Sequence, residues 1–347
     1  MPYVVQWSSF SRVDLLGLAL SWAGLYLVVR QPDRRRYLIA AALLMVAAIY
    51  TRQTYALAAP LASLAWLLSR RQLREALTLA AVVGGVSLVI LGALSAMTGG
   101  GFFFHTVTSN VNEFRWEQVT FYLSGLVGLL PVMLAGGVAF LVLALRSRVE
   151  SRWLVGPYLL GAVATALLIG KVGSDVNYLL ELCAALALAA GALLARYAKR
   201  PGPRAALLLV LAVQMVLMVQ TSQLDHAFRE RNIVARKGEI SRLEEIIDGS
   251  EGPVLADEYM GLLPLEGRRI YLQPFEMTQL AREDRWDQEP LLREIRQTRF
   301  SAILIFEPPG ARWLVEDRWT EEMLEQIEVH YEPEDTFAFT VVYRPRR

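Results

Sequence analysis

The sequence predicts a polytopic α-helical membrane protein of about eight spans, with a small C-terminal extracytoplasmic α/β domain. Three observations predict it. Mean hydropathy is +0.34, and apolar residues make up 54% of the 347. They concentrate before residue 220 in a series of runs. Basic residues in that region collect into clusters between the runs. Crossing a bilayer takes about 20 mostly apolar residues, because every backbone polar group must be bonded within the helix. The candidate spans are 13–29, 37–49, 55–68, 76–97, 119–145, 153–169, 178–194 and 205–219. The predicted organisation is a membrane domain over 1–219, a helical linker over 220–250 and an extracytoplasmic α/β domain over 251–347.

Charge orients these spans. Four connections are basic: Arg30 with Arg34, Arg35 and Arg36; Arg70, Arg71 and Arg74; Arg146, Arg148 and Arg152; and Arg196, Lys199, Arg200 and Arg204. The positive-inside rule assigns all four to the cytoplasm, which demands an even number of crossings between each and the next. Two short spans over 37–49 and 55–68 satisfy that demand, whereas one long helix with Arg52 near its middle does not. Connections 50–54, 98–118 and 171–177 then face outward, as do the N-terminus and everything after 219. Residues 1–12 contain neither a cleavable signal nor an earlier span. The charge pattern therefore expects an odd number of spans upstream of Met1, with unaided translocation of a short tail as the alternative.

The C-terminal part reads as soluble. Charges at helical spacing over 222–248 leave a stripe of Ile240, Leu243 and Ile247 to pack on a neighbour, and 249–253 break the helix. Strand-like runs follow at 254–256, 269–272, 301–306 and 337–343, separated by helical patterns at 289–297 and 320–326.

Composition excludes some functions. Lys and Arg number 35 against 34 Asp and Glu, net +1; no concentrated basic face is available for a nucleic-acid backbone. The single cysteine, Cys183, excludes an intrachain disulfide. His105, His226 and His330 are far apart and lack ligand spacing. No cofactor is identified, and dependence on a divalent cation is not legible.

Polar groups bordering a span are costly and therefore candidates for function. Ser11, Arg12 and Asp14 open the first span, and Ser11-x-x-Asp14 is close to a capping box. Arg52 sits in a tight outer connection where positive charge is otherwise sparse; it suits either a phosphate or an arginine snorkelling to water. Loop 98–118 is long for a connection and holds the runs Gly99–Gly101 and Phe102–Phe104, then His105, Asn110 and Asn112. Its aromatics suit the headgroup level beside a polar cavity. Segment 171–178 combines the cation Lys171, the carboxylate Asp175, the amide Asn177 and the phenol Tyr178. Lys171 is the sharpest candidate for an anionic headgroup, with a snorkelling lysine as the alternative.

Arg12-Val-Asp14-Leu-Leu-Gly-Leu-Ala-Leu-Ser-Trp-Ala-Gly24-Leu-Tyr and Thr51-Arg-Gln-Thr-Tyr-Ala-Leu-Ala-Ala-Pro60-Leu resemble the middle portion of bacterial GT-C integral-membrane glycosyltransferases. The branch is that of protein mannosyltransferases and the lipid A aminoarabinose transferase. Thr98-Gly-Gly-Gly-Phe-Phe-Phe-His105, Asn177-Tyr-Leu-Leu-Glu181 and Gln273-Pro-Phe-Glu-Met-Thr-Gln-Leu-Ala281, followed by Trp286-Asp, look like segments of the same branch. The resemblance implies an enzyme of the bacterial cytoplasmic membrane. It would transfer a sugar from a polyprenyl-phosphate donor to a lipid, glycan or protein acceptor at the outer face. It further implies inversion at the anomeric carbon, with a carboxylate of the first outer loop as general base. No residue here matches that carboxylate, and Asp14 follows the loop that would carry it, so the catalytic residues are unassigned. Arg52 and Lys171, then Arg12, are the expected contacts of the lipid phosphate. His105, Asn110, Asn112, Asn177 and Tyr178 are expected in the substrate site, with membrane lipids around it. The competing reading is a noncatalytic membrane scaffold whose outward domain binds a partner. A secondary transporter would show two related halves with interrupted helices, and neither is legible.

Overall fold

The computed structural model describes residues 1–347 except Ser9, Ser11, Val111, Ser147, Arg148, Glu150 and Arg347. The side chains of Asp225, His226, Phe228, Arg229 and Ile233 also lie outside the description. The expectations placed on Ser11, on Arg148 and on the His226 side chain thus fall outside the described residues. Two compact units emerge: Met1–Phe104 with Phe114–His226, and His105–Glu113 with Ala227–Arg347.

The first unit is helical. Helices α1 (Pro2–Ser8), α2 (Asp14–Arg30) and α3 (Arg35–Thr51) lead through a 3-10 turn, Gln53–Ala56, to α4 (Ala58–Ser69) and α5 (Leu73–Met97). The short α6 (Gly101–Phe103) runs into a π-helical turn, Phe104–Thr108. Then come α7 (Trp116–Leu129), α8 (Pro131–Arg146) and α9 (Arg152–Leu167), followed by 3-10 turns Leu168–Gly170 and Val176–Leu179. Helix α10 (Leu180–Arg196) precedes α11 (Pro201–Asp248), which runs unbroken for 48 residues. Among the described residues, four stretches are long and apolar enough to cross a bilayer alone: Leu73–Met97, Arg152–Gly170, Val176–Arg196 and Pro201–Leu224. Helices α2 and α3 are 17 residues each and α4 is 12, so they fall short of that length.

The sequence reading expected one uninterrupted span over 119–145. The structure instead bends the chain by 97° between α7 and α8, and counting the pair as one span raises the number to five. Proline explains the break: Pro131 has no N–H to donate, and its ring drives the preceding residue out of the helical region. Leu130 accordingly sits at φ −126°, ψ 42°. Backbone groups freed in an apolar interior must find partners, and one side chain on α11 supplies two. Gln214, 1% exposed, accepts from the Val132 N–H at 3.1 Å and donates to the Leu129 carbonyl at 3.0 Å.

Small residues let the helices approach. Ala41, Ala42, Ala58, Ala59 and Ala62 are all fully buried, and a Cβ on Gly161 would stand 2.6 Å from the Ala58 Cα. Such contacts are the usual means of packing helices in lipid. In contrast, the Leu73–Met97 and Pro201–Leu224 stretches are only 6% buried, with Leu88, Val89, Leu209 and Val213 exposed. That much apolar surface far exceeds what a soluble protein displays and is suited to hydrocarbon. At one end of the unit Gln72 donates to Asp33, joining the connections around 30–36 and 70–74. At the other end of α3, the first residues, the 52–56 turn and segment 171–178 meet.

The second unit packs helices on both faces of a four-stranded sheet of order β1-β2-β4-β3. In chain order it contains β1 (Val254–Ala256), α12 (Leu262–Leu265), α13 (Pro274–Arg282), α14 (Glu289–Arg296), β2 (Ala302–Phe306), α15 (Arg312–Arg318), α16 (Glu321–His330), β3 (Tyr331–Phe337) and β4 (Thr340–Pro345). Strands β1 and β2 are parallel and the other pairs antiparallel; the parallel pair requires a long crossover, supplied by α12 to α14. Period-two alternation sorts the core. Leu255, Ile303 and Ile305 face Leu291, Leu292 and Ile295 of α14 and Met323 and Ile327 of α16. Val254, Ala256, Ala302, Leu304 and Val342 face Leu243 and Ile247, with Ile240 beside them; this is the stripe the spacing predicts.

Two strand expectations are corrected. Residues 269–272 form no strand: Leu272 packs against the core and the exposed Tyr271 lies edge-on to Phe300, but among the described residues no strand pairs with the run. Residues 337–343 are not one strand but the end of β3, a turn and β4. The turn residues Ala338 and Phe339 both have positive φ, 49° and 61°, where Asn-Gly is the usual pair. β3 itself escapes the hydrophobic pattern because among Tyr331–Phe337 Tyr331 alone is buried.

Asp257, 5% exposed, follows β1 and accepts from Trp319 Nε1 at 3.0 Å and from the Phe306 N–H at 3.0 Å. Burial nevertheless holds its carboxyl above the ordinary value of 3.8, with the donors and Arg318 opposing. The folded state thus binds this proton more tightly than the unfolded chain, so the Asp257 contribution to stability falls as pH rises through the window just above 3.8. In urea titrations across that window Asp257→Asn should lack this part of the wild-type slope. At the helix break, Gln214→Leu should lower stability by about 1–3 kcal/mol, because two buried backbone groups lose their partners; the unfolding midpoint checks it.

Candidate functional site

The best-defined polar site of the first unit centres on Asp14. It occupies the first turn of α2, where the helix dipole favours a carboxylate, but it does not serve as a cap. Val13 stands at the N-cap position without a side-chain cap bond, and the Asp14 carboxylate, 1% exposed, turns instead to three other segments. Its Oδ2 accepts from Trp7 Nε1 at 2.7 Å and its Oδ1 from Asn177 Nδ2 at 3.1 Å. Arg52 forms an ion pair with the same Oδ1. The backbone carbonyl of Asp14 accepts from the Tyr55 hydroxyl at 2.8 Å. Gly17 makes room for that ring: a Cβ there would stand 2.6 Å from Tyr55 Cε2.

Arg52 is the side of this site that reaches outward. Its guanidinium lies 4.6 Å above the Tyr178 ring and the side chain is 19% exposed. A guanidinium carries five N–H donors in a planar fork. Asp14 engages one edge and Tyr178 supports the face, so the exposed remainder of the fork is held in one orientation. The buried pair is sustainable because the carboxylate is otherwise hydrogen-bonded; an isolated pair repays its desolvation poorly.

Segment 171–178 is clamped by the loop before α7. Phe114 and Lys171 form an antiparallel bridge, and Arg115 N–H donates to the Gly170 carbonyl at 2.8 Å. Gln118 Nε2 lies within 2.9–3.2 Å of the carbonyls of Ile169, Lys171 and Ser174. Asp175 closes the following 3-10 turn by accepting from the Val176 N–H at 2.6 Å. Lys171 is half-buried and enters the site region through this backbone clamp.

Of the eight residues singled out from the sequence, the structure thus brings Arg52, Asn177 and Tyr178 together and ties Lys171 to the same segment. Arg12 is exposed, with its guanidinium 5.3 Å from the Trp7 ring. His105, Asn110 and Asn112 belong to the second unit. There His105 opposes the upward push of burial on the Glu276 carboxyl, and Thr108 accepts from Arg285 Nη1 at 2.8 Å. The sequence reading missed Asp14 as the organising residue, together with Trp7, Tyr55 and Glu181. Glu181 was detectable, being a carboxylate within an apolar run; the Trp7 and Tyr55 contacts have no sequence signature. Among the described residues no group of three or more His, Cys, Asp or Glu side chains is placed to hold a metal ion.

The fold and site define a membrane-type helical protein with a small mixed α/β unit and a carboxylate-anchored arginine. The chain matches no protein-family model, no curated protein and no solved structure.

Removing one partner of the buried pair strands the other. Asp14→Ala should cost about 3–5 kcal/mol, whereas the Asp14→Ala/Arg52→Ala double variant should cost less than the two single changes added together. Unfolding of all four forms in one detergent gives the coupling directly.

Proposed function

We propose that this protein is a membrane glycosyltransferase of the GT-C kind, using a polyprenyl-phosphate sugar donor at the outer face of the bacterial cytoplasmic membrane. The observation that carries the reading is the convergence of Arg52, Asn177 and Tyr178. They come from segments more than a hundred residues apart in sequence and meet around one buried carboxylate. Arg52 would bind the departing lipid phosphate, with Lys171 as second cation and Arg12 third. Preorganised cations aimed at developing negative charge are the main resource of such a transfer. The acceptor, a lipid, glycan or protein, would be activated by a carboxylate that is not among the residues assigned here.

In this reading α2, α3 and α4 also cross the membrane, giving eight crossings with the bent α7–α8 pair counted once, and the α/β unit lies outside. A 17-residue helix is about 25 Å long, near enough to the hydrocarbon thickness of about 30 Å for flanking residues to complete the crossing. The joining of the 30–36 and 70–74 connections by Gln72 and Asp33 supports the even crossing number that charge requires.

Binding of polyprenyl phosphate to the chain in nanodiscs tests this reading. Wild type should bind it, and unphosphorylated polyprenol at least about tenfold more weakly, a difference of about 1.4 kcal/mol. Arg52→Lys keeps the charge that Asp14 needs and loses the planar fork; it and Lys171→Ala should each weaken phosphate binding by a similar factor. Equal affinity for the phosphate and the alcohol would defeat the reading and favour the noncatalytic scaffold.

A further inference from the structure

At the end of α3 away from Arg52, two connections are joined where Gln72 Nε2 donates to Asp33. Arg34 follows Asp33 and Arg71 precedes Gln72 in the chain, so both flank the joined pair. Arg30, Arg35 and Arg36 on one connection and Arg70 and Arg74 on the other extend the cluster, and all of these arginines are exposed. Within 30–36 and 70–75 the only acids are Asp33 and Glu75. Two guanidiniums lie over aromatic rings, Arg70 over Trp66 at 4.1 Å and Arg36 over Tyr37 at 4.9 Å.

The charge rule asks for basic residues at this end, but not for where these ones stand. Helix α3 opens on Arg35 and Arg36 after Arg34 at its N-cap, with no acid in its first turn, although the positive end of a helix dipole disfavours cations. Helix α5 opens with Gln72 at its N-cap and Arg74 in its first turn. Neither helix has a side-chain cap bond. Arg71 lies at φ 61°, in the left-handed position after α4 where glycine is usual, and the Gln72 N–H reaches past it to the Leu67 carbonyl at 3.0 Å. A phosphate would answer uncapped helix starts and clustered guanidiniums together. The surroundings favour a phosphate carried by a lipid. Leu73–Met97 is long and apolar enough to cross a bilayer, so in a membrane the start of α5 falls at headgroup depth. Leu73 and Leu77, one turn apart beside Arg74, are 58% and 61% exposed.

We propose that Arg34, Arg35, Arg71 and Arg74, with the first turns of α3 and α5, form a binding surface for the headgroup of an anionic phospholipid, whose acyl chains run along the exposed leucines of α5. Guanidinium forks match phosphate oxygens two at a time, and a lipid held there offsets the repulsion that the cluster imposes on both helix starts. The surface rests on the membrane character of the apolar helices. It is separate from the transferase reading, because it lies at the opposite end of α3 and uses no ligand of Arg52.

The test uses the full chain in nanodiscs of phosphatidylcholine containing a rising fraction of phosphatidylglycerol. The thermal unfolding midpoint should rise saturably by several degrees, as mass action requires of a ligand bound to the folded state alone. Native mass spectrometry of the released protein should find phosphatidylglycerol retained in preference to phosphatidylcholine. The quadruple variant Arg34→Gln/Arg35→Gln/Arg71→Gln/Arg74→Gln should lose most of the rise. Arg196→Gln/Lys199→Gln/Arg200→Gln/Arg204→Gln removes the same charge from another basic connection and should keep it. Arg71→Gly separates lipid binding from folding, because it removes a cation and relieves the left-handed arginine. It should unfold no lower than wild type in phosphatidylcholine alone, yet bind phosphatidylglycerol about fivefold more weakly, the equivalent of about 1 kcal/mol for one arginine at a charged surface. If the first quadruple variant does not fold, Arg71→Gly carries the test. A midpoint indifferent to phosphatidylglycerol would overturn the proposal, and so would an equal rise in both quadruple variants or an undiminished affinity in Arg71→Gly. Millimolar inorganic phosphate reproducing the rise in pure phosphatidylcholine would identify a free anion as the occupant, which also overturns it.

Discussion

The arrangement at one end of the helical unit follows from a single constraint, the burial of the Asp14 carboxylate. An ion with 1% of its surface in contact with solvent must be surrounded by donors, and α2 has no side chains of its own suited to the task. The donors come from Trp7 in α1, from Arg52 after α3 and from Asn177 before α10. Each reaches the carboxylate only if its own segment is correctly placed. The ion pair therefore acts as a register pin for three connections that share no secondary structure. Tyr55 adds a fourth tie through the Asp14 carbonyl, and Gly17 is the space that lets its ring in.

Much of the helical unit was legible because lipid imposes a simple grammar. Apolar runs and clustered arginines mark helices and connections, and the turn at Arg52 that separates α3 from α4 was found from charge parity alone. The break at Leu130 was not. The residues 119–145 are uniformly apolar, and Pro131 within such a run is compatible with a mild kink as well as with a 97° bend. What decides is a partner 83 residues later, Gln214, which a reading of apolar content treats as a tolerated polar residue.

The site was half legible for a related reason. Cations at a span boundary announce themselves, so Arg52 and Lys171 were visible, whereas the use of Asp14 was masked by a simpler role. A carboxylate in the first turn of a helix is already explained by the dipole, and nothing local distinguishes a cap from a buried ion-pair partner. In the second unit the alternating cores of β1 and β2 were plain, and β3 was hidden because its side chains face solvent. The Ala338–Phe339 turn was hidden because its residues are not those that favour positive φ.

Gln214 also has a bearing on biosynthesis. The ribosome completes α7 and α8 long before it reaches this residue, and until α11 arrives the Leu129 carbonyl and the Val132 N–H lack their partners. A bend exposed in hydrocarbon with unmet backbone groups cannot hold its final shape. The pair must therefore wait, either nearly straight or sheltered by the insertion machinery, until the last span enters and its amide closes the break. The final helix of the membrane unit thus completes an element made before it, so the order of synthesis and the order of consolidation differ.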